Sequence, residues 1–341
     1  MRSIYDLSLI DLENYFESIG EKKFKAKQVY DWLYKKRVTS FDEMVNVKKD
    51  LINRLKSEFS IGQLEILRRL DDVDVHKFLF LLEDGNKVEA VLMHHDYGMS
   101  ICISTQVGCN MSCAFCESGR LKKVRNLKTS EMLLQIMMVE KDLNIKISHI
   151  VLMGIGEPFD NYDNVINFIN IVNEPFGLEI GSRHITVSTC GVVPKILEFI
   201  KDGKQVNLAI SLHAPNNEIR NKLMPINKAY DINKLIDTIK VYIDKTHRRV
   251  TFEYIMLNGV NDSVENALEL AKLLRGMNCY VNLIPYNETS HIEFKKSDKD
   301  RILNFYDCLK KNGIGVTIRR EFGSKVKAAC GQLRSTYEEG L

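Results

Sequence analysis

Proline occurs only six times and tryptophan once in the 341 residues. With 19 glycines and no low-complexity stretch, that composition argues against long disordered linkers. No window approaches the roughly 18 consecutive apolar residues of a membrane span, so no membrane partner is expected. The opening stretch MRSIYDLSLIDLENYFESIG mixes acids into its apolar positions and lacks the continuous apolar run of a secretory leader. The expected location is the cytoplasm, where cysteines stay reduced and serve more often as metal ligands or catalysts than as disulfides. No internal repeat of fixed period is present. An excess of one charge is lacking too. Lys and Arg number 48 against 45 Asp and Glu, a net charge of +3, so bulk charge does not point to nucleic acid.

What is present is an ordinary globular composition, 45% apolar and 27% charged, enough for a large core. The basic residues are clustered. Lys22, Lys23, Lys25 and Lys27 form one group, and Lys122, Lys123, Arg125 and Lys128 a second. Lys245, Arg248 and Arg249 form a third, and Arg319 with Arg320 a fourth. Singly, each reads as a solvated helix end or loop; together on one face they would bind phosphates.

Two regions differ in periodicity. LIDLENYFESIG, KAKQVYDWLYK and SFDEMVNVKKDLINRLKSEF space their apolar residues helically, with Trp32 as a core anchor. HKFLFLLEDGNKVEAVLMHH reads as a hairpin turning at Asp84-Gly85. From about Met99, the short apolar runs SICIST, SHIVLMG, HITVSTC, VNLAISL, VTFEYIML, YVNLIPYN and VTIRR alternate with helical segments. That alternation predicts an α/β fold of parallel strands with crossover helices. The polar and glycine-bearing motifs fall at strand C-terminal ends, where (β/α) barrels build their sites. The expected organisation is an N-terminal helical domain over 1–75, a β extension over 76–98, and a partial (β/α) barrel over 99–341.

Four of the eight cysteines crowd into ICISTQVGCNMSCAFC. Cys109, Cys113 and Cys116 have C-x3-C-x2-C spacing, with Cys102 seven residues before Cys109. Three thiolates can hold three irons of a [4Fe-4S] cluster and leave the fourth open for substrate. Structural zinc wants a fourth protein ligand, and no nearby CxxC or HxxxH supplies one. Three buried, inert cysteines are the bland alternative, set against the polar Asn110 and Ser112 between them. MGIGEP, Met153 to Pro158, lacks the third glycine of a dinucleotide fingerprint. Its glycines allow close backbone approach, and Glu157 can hold an ammonium group. An ordinary strand-to-helix turn is the plain alternative. Ser188, Ser211 and His213 can likewise be read as packed strand ends, and Glu89 as a surface acid. Cys190, Cys279 and Cys308 match no motif and read as buried and inert.

The cysteine spacing after the first barrel strand, with Phe115 before the last cysteine, resembles the radical S-adenosylmethionine (SAM) superfamily. STQVGCNMSCAFC, MGIGEPFDNYDNV, RHITVSTCGVVPKI, ISLHAPNNEIRNKLMPIN, GVND, VNLIPYN and VTIRREFG…AACGQLR follow in one order. With KFKAKQVYDWLYKKRVTSFDEM and KVEAVLM they resemble, over nearly the whole chain, the RlmN/Cfr family of radical SAM RNA methyltransferases. The resemblance implies that Cys109, Cys113 and Cys116 ligate a [4Fe-4S] cluster. It implies that Gly156, Glu157, Ser188, Ser211, Leu212, His213 and Asn287 contact SAM. Cys330 would carry the methyl group, Cys102 would be its covalent and redox partner through a transient disulfide, and Glu89 would handle the proton.

Such chemistry suits adenine carbon 2, which is too electron-poor to attack the methyl group of SAM directly; a radical route with an S-methylcysteine intermediate avoids that step. The resemblance further implies an adenosine of 23S rRNA, and also tRNA, as substrate, with the N-terminal helical domain over 1–75 holding the RNA. An external electron donor such as flavodoxin or ferredoxin and a monomeric enzyme complete the expectation. Carbon 8, as in Cfr, is the alternative within the family. A radical SAM enzyme acting on a small molecule or protein is the alternative outside it, and a non-enzymatic iron–sulfur carrier or RNA-binding module is more distant. The chain departs from the family pattern at Glu117-Ser118-Gly119, where a small residue is usual, and at Lys325, Val326 and Lys327, where acids are usual.

Overall fold

The computed structural model describes residues 1–289 and 291–319. Cys330 with its AACGQL motif, Arg320, Lys325, Val326 and Lys327 lie outside the described residues.

One sheet of ten strands organises the chain. The strands are β1 (Glu65–Asp72), β2 (Val75–Leu81), β3 (Lys87–His95), β4 (Gly98–Cys102), β5 (His149–Leu152), β6 (Ile185–Thr189), β7 (Asn207–Ser211), β8 (Val250–Met256), β9 (Cys279–Pro285) and β10 (Val316–Ile318). They lie side by side in chain order. From β4 to β10 every pairing is parallel, and β1 to β4 pair antiparallel. All seven expected parallel strands are present, and the sheet stays open among the described residues, as a partial barrel does.

Helices cover the outer face: α4 (Thr129–Leu143), α5 (Tyr162–Asn173), α6 (Val193–Asp202), α7 (Ile232–Thr246), α8 (Val264–Leu274) and α9 (Lys299–Lys311). Their ends follow local chemistry. Asp231, Ser263 and Asp298 cap the starts of α7, α8 and α9, each accepting an N–H of the first turn. Asn144 ends α4 in the left-handed conformation, at φ 51°. Along β6 to β9, polar residues fall between residues of the core. Val187, Leu208, Ile210, Phe252, Tyr254 and Leu283 join the main core under the helices. Ser188, Ser211, Glu253 and Asn282 point the other way, because neighbours on a strand face opposite sides. A barrel packed dry on both faces would carry nearly continuous apolar runs. This concave face carries polar residues at the ends of β6 to β9 and is left for a ligand.

The N-terminal region holds α1 (Leu9–Ser18), α2 (Phe24–Tyr30) and α3 (Lys49–Glu58). Its buried Leu12, Phe16, Tyr30, Leu33 and Leu55 belong to the same core as the barrel helices. Asp6 accepts the Ser130 N–H at the start of α4, and Arg37 pairs with buried Glu140. The helical region expected to reach residue 75 gives way at β1, which already belongs to the sheet. EILRRLDD hides its strand character because it is an edge strand, mostly exposed and charged. The 76–98 hairpin is β2–β3, continuous with the same sheet. Trp32 is only partly buried, its ring lying under the Lys36 ammonium at 3.5 Å, so it borders the core and does not anchor it.

Candidate active site

At the C-terminal ends of β5 to β9 the concave face opens into a cleft, the place where such a fold seats its cofactor. Cys109, Cys113 and Cys116 line one wall, with Met111, Phe115 and Met224. Gly156, Glu157, Ser188, Ser211, His213 and Asn287 line the rest, and Arg319 stands at the edge. Nine of the expected site residues are thereby brought together from segments spread over 179 positions, Cys109 to Asn287.

The cysteine loop is tied back on itself. The Cys109 N–H donates to the Leu121 carbonyl and the Cys116 N–H to the Cys113 carbonyl. Burial pushes the Cys109 thiol up to about 12 and the Cys113 thiol well above its ordinary value. Thiols so placed ionise only when an electrophilic centre takes them up. Among the described residues no three cysteine, histidine or carboxylate side chains converge on a single-ion site. Three thiols around one cleft are the donor set that a [4Fe-4S] cluster with one open iron requires.

The MGIGEP turn crosses close to the loop after β4. A Cβ on Gly154 would meet the Ile103 carbonyl oxygen at 2.5 Å, and one on Gly156, at φ +113°, the Gln106 Cγ at 2.7 Å. Glycine is required at both positions. The turn delivers Glu157, buried, whose Oε1 accepts the Phe159 N–H at 3.0 Å and whose Oε2 accepts the Cys190 N–H at 2.8 Å. Burial raises its carboxyl above the ordinary value, against those hydrogen bonds. No basic side chain pairs with it among the described residues, so the cleft presents an anion awaiting a cation. An ammonium group fits that vacancy of charge.

His213 sits at φ 58°, a conformation a histidine rarely adopts. Its Nδ1 accepts the Ile255 N–H at 3.1 Å, leaving the proton on Nε2, and its ring meets Phe115 edge-on at 4.7 Å. Burial, then the Arg220 charge, pushes its pKa down to about 3, so it is neutral at working pH. Leu212, beside it, keeps its side chain out of the cleft. Its side chain is in the core, its N–H donates to the Glu253 carbonyl and its carbonyl accepts Arg220 Nε.

Cys102 and Glu89 form a second group on the same concave face. Cys102, at the end of β4, pairs with Val91 and Val151 and packs with Val75, Met93 and Ile155. Glu89 lies two residues before Val91 on β3, hence on the same side. It is buried and ion-paired with buried Lys77 at 3.0 Å. The reading of Glu89 as a surface acid fails: the strand sits inside the sheet, which the local pattern cannot reveal.

Other expectations are redrawn. The transient disulfide involves Cys330, outside the described residues, and no disulfide joins the described cysteines. Cys190, expected to be inert, lines the cleft and holds Glu157 through its backbone. Arg220, Glu253, Gln106 and Lys77 were not singled out from sequence; Arg220 sits in the quoted motif ISLHAPNNEIRNKLMPIN, the one signal that pointed near it. The third basic cluster does not share the face of the cleft. Lys245, Arg248 and Arg249 lie at the N-terminal end of β8, away from the cleft, and Arg125 is engaged by Asp84 and Glu131. Glu117, the departure beside the cysteines, is buried and pairs with Arg120 at 3.2 Å.

Comparisons with known proteins agree with this geometry. The family described as the radical SAM superfamily matches residues 103–271, and the ribosomal RNA large subunit methyltransferase N-terminal domain matches residues 3–61. A probable dual-specificity RNA methyltransferase RlmN of Spiroplasma citri is 54% identical, covering 99% of each chain. Its counterpart in Thermoanaerobacter sp. (strain X514) is 52% identical, again covering 99% of each. The chain belongs to the RlmN family of radical SAM RNA methyltransferases. The crystal structure of a radical SAM methyltransferase from Sphaerobacter thermophilus, 39% identical, superposes with a TM-score of 0.92, covering 98% of this chain and 99% of that one. As an RlmN-family enzyme the protein uses a [4Fe-4S] cluster and SAM. Among the described residues no helix is long and apolar enough to cross a membrane.

Proposed function

We propose that this enzyme methylates carbon 2 of an adenosine in 23S rRNA and also modifies tRNA, working as a monomer on electrons from a flavodoxin- or ferredoxin-like donor. The observation that carries the reading is near-full-length identity above 50% to relatives named dual-specificity RNA methyltransferases. The two-part concave site adds support: a cofactor cleft at β5 to β9 and, beside it on β3 and β4, a thiol and a carboxylate.

Cys109, Cys113 and Cys116 would hold the cluster. Glu157 would take the SAM ammonium, with Gly156, Ser188, Ser211, His213, Asn287 and the Leu212 backbone shaping the rest of its seat. A [4Fe-4S] cluster held by those thiolates would supply the one-electron reduction of SAM from which the radical chemistry of this superfamily starts. The chain's own residues do the remaining work. The Cys330 thiolate would accept a methyl group from one SAM by displacement, S-adenosylhomocysteine leaving; one hydrogen atom of that methyl would go to the adenosyl radical, the remaining methylene would bond to the base, and the surplus electron would pass back to the cluster as the base loses its proton. Glu89, which the Lys77 ammonium favours in its ionised form, takes the proton leaving the base. The Cys102 thiolate then attacks the Cys330 sulfur. A sulfur–sulfur bond forms, the sulfur–methylene bond breaks, and the departing carbon keeps the electron pair and gains a proton. Two electrons from outside reopen the disulfide.

A base must leave its stack to reach such a cleft, at a cost of a few kcal/mol, which favours a loop or partly single-stranded site. The test is mass spectrometry of rRNA and tRNA adenosines from a deletion strain. Loss of 2-methyladenosine from both supports the proposal. Loss of 8-methyladenosine instead, or of neither, rejects it.

A further inference from the structure

The helical turn Asn217–Leu223 follows the β7 end and carries Arg220, which is wholly buried. Its Nε donates to the Leu212 carbonyl at 3.3 Å. Nη1 donates to Asn227 Oδ1 at 2.8 Å and to the Tyr230 carbonyl at 3.5 Å. Nη2 donates to the carbonyls of Cys190 at 2.7 Å and Ser211 at 3.4 Å. Every acceptor is neutral, and no carboxylate pairs with this guanidinium among the described residues. Carbonyl dipoles solvate the charge but do not cancel it, and a buried charge without a counter-charge is costly.

The turn bearing Arg220 is docked on the cysteine loop. The Ala114 N–H donates to the Leu223 carbonyl at 2.9 Å. Phe115 packs with Leu223, Met224 and Cys190, and Cys113 and Cys116 border that cluster. The cation stands behind the wall that carries the thiols, one hydrogen bond away from cleft-lining Cys190 through the Cys190 carbonyl. It also joins the end of β6, through Cys190, to the end of β7, through Ser211 and Leu212.

We propose that Arg220 is a positioning and charge-compensating residue for the cluster. Its fixed charge offsets the negative charge that thiolates and a reduced cluster bring into the cleft, and its fork holds the β6 and β7 ends against the cysteine loop. The proposal rests on Cys109, Cys113 and Cys116 being the cluster ligands. Reduction adds an electron to an already anionic site. A nearby buried cation favours that step, more strongly than in water because the surrounding dielectric is low, and iron–sulfur potentials respond to local charge and solvent exposure.

The experiment uses reconstituted full-length R220M and R220K, without RNA. Iron content, the one-electron midpoint potential of the cluster and SAM affinity are measured on each. R220M is expected to retain iron while its reduction constant falls about tenfold, which is about 59 mV for a one-electron couple. R220K keeps the charge but cannot fill five acceptors. Its midpoint should stay at the wild-type value while SAM binding weakens about tenfold. An unchanged midpoint in iron-replete R220M, or an R220K midpoint as low as that of R220M, overturns the proposal. Should R220M not fold, the R220K midpoint decides: the wild-type value supports the proposal and a tenfold drop in reduction constant ends it. C109S separates the underlying assignment, because full iron and an unaltered cluster signal in that variant would reject the ligand set and not the role of Arg220.

Discussion

Glu157 illustrates how one buried side chain ties stability to cofactor binding. Its carboxyl is raised by burial, so between the unfolded value of 4.5 and the raised folded value the folded protein holds a proton that the unfolded chain has released. Stability from this group is therefore present below pH 4.5 and lost as pH rises through the folded value. E157Q removes that loss. Because the amide can accept only one of the two N–H groups of Phe159 and Cys190, a pH-independent cost, the melting temperature of the cofactor-free variant relative to wild type should be higher at pH 7.5 than at pH 4. The same variant lacks the charge that would meet an ammonium, and calorimetry should find SAM affinity at least tenfold weaker. Cys102 gives a second expectation at this scale. If it releases the product, C102A should accumulate an RNA–protein adduct, seen as a shifted band on a denaturing gel; normal turnover with no such band would remove it from the reaction.

At the scale of elements, the site depends on how tightly one turn passes another. Gly154 and Gly156 bring the loop after β5 against the loop after β4 without room for a Cβ. G156A must shift the Gln106 side chain and adopt a strained φ, for a cost of about 1–3 kcal/mol. Denaturant unfolding should read that loss, and SAM affinity should fall with it, since Gln106 Oε1 accepts the Glu157 N–H at 2.9 Å. The strands make the corresponding point. Their apolar–polar alternation is visible in HITVST, NLAIS and VTFEYIM, and it marks one face as core and the other as ligand surface. A helix such as α4 is legible to its ends, because its periodicity and the Asn144 stop are local. β1 was not, because an exposed charged edge strand has no local hydrophobic signature.

Across the whole molecule, the N-terminal helices are held to the barrel by a common core and by buried polar ties. Glu140, whose side chain is only 3% exposed, accepts the Ile147 N–H at 2.7 Å and pairs with Arg37 from the N-terminal region. R37A leaves that carboxylate buried without its partner, a loss of about 3 kcal/mol. Chemical denaturation should report the loss as a lower midpoint in a single transition; two separate transitions would mean that the regions unfold independently.

The cysteine spacing, the order of motifs and the strand–helix alternation are properties of the chain itself, and they were enough to recognise the radical SAM fold, the family and its cofactors. They are legible because metal ligation and strand periodicity leave marks at short sequence separation. Other features came only with the folded chain. Glu89 is buried against Lys77, Leu212 turns into the core, and the third basic cluster lies at the far end of β8. Arg220 stands behind the cysteine loop with no counter-ion. Burial and the pairing of charges depend on which distant segments the sheet brings together, and nothing in the local sequence encodes that proximity.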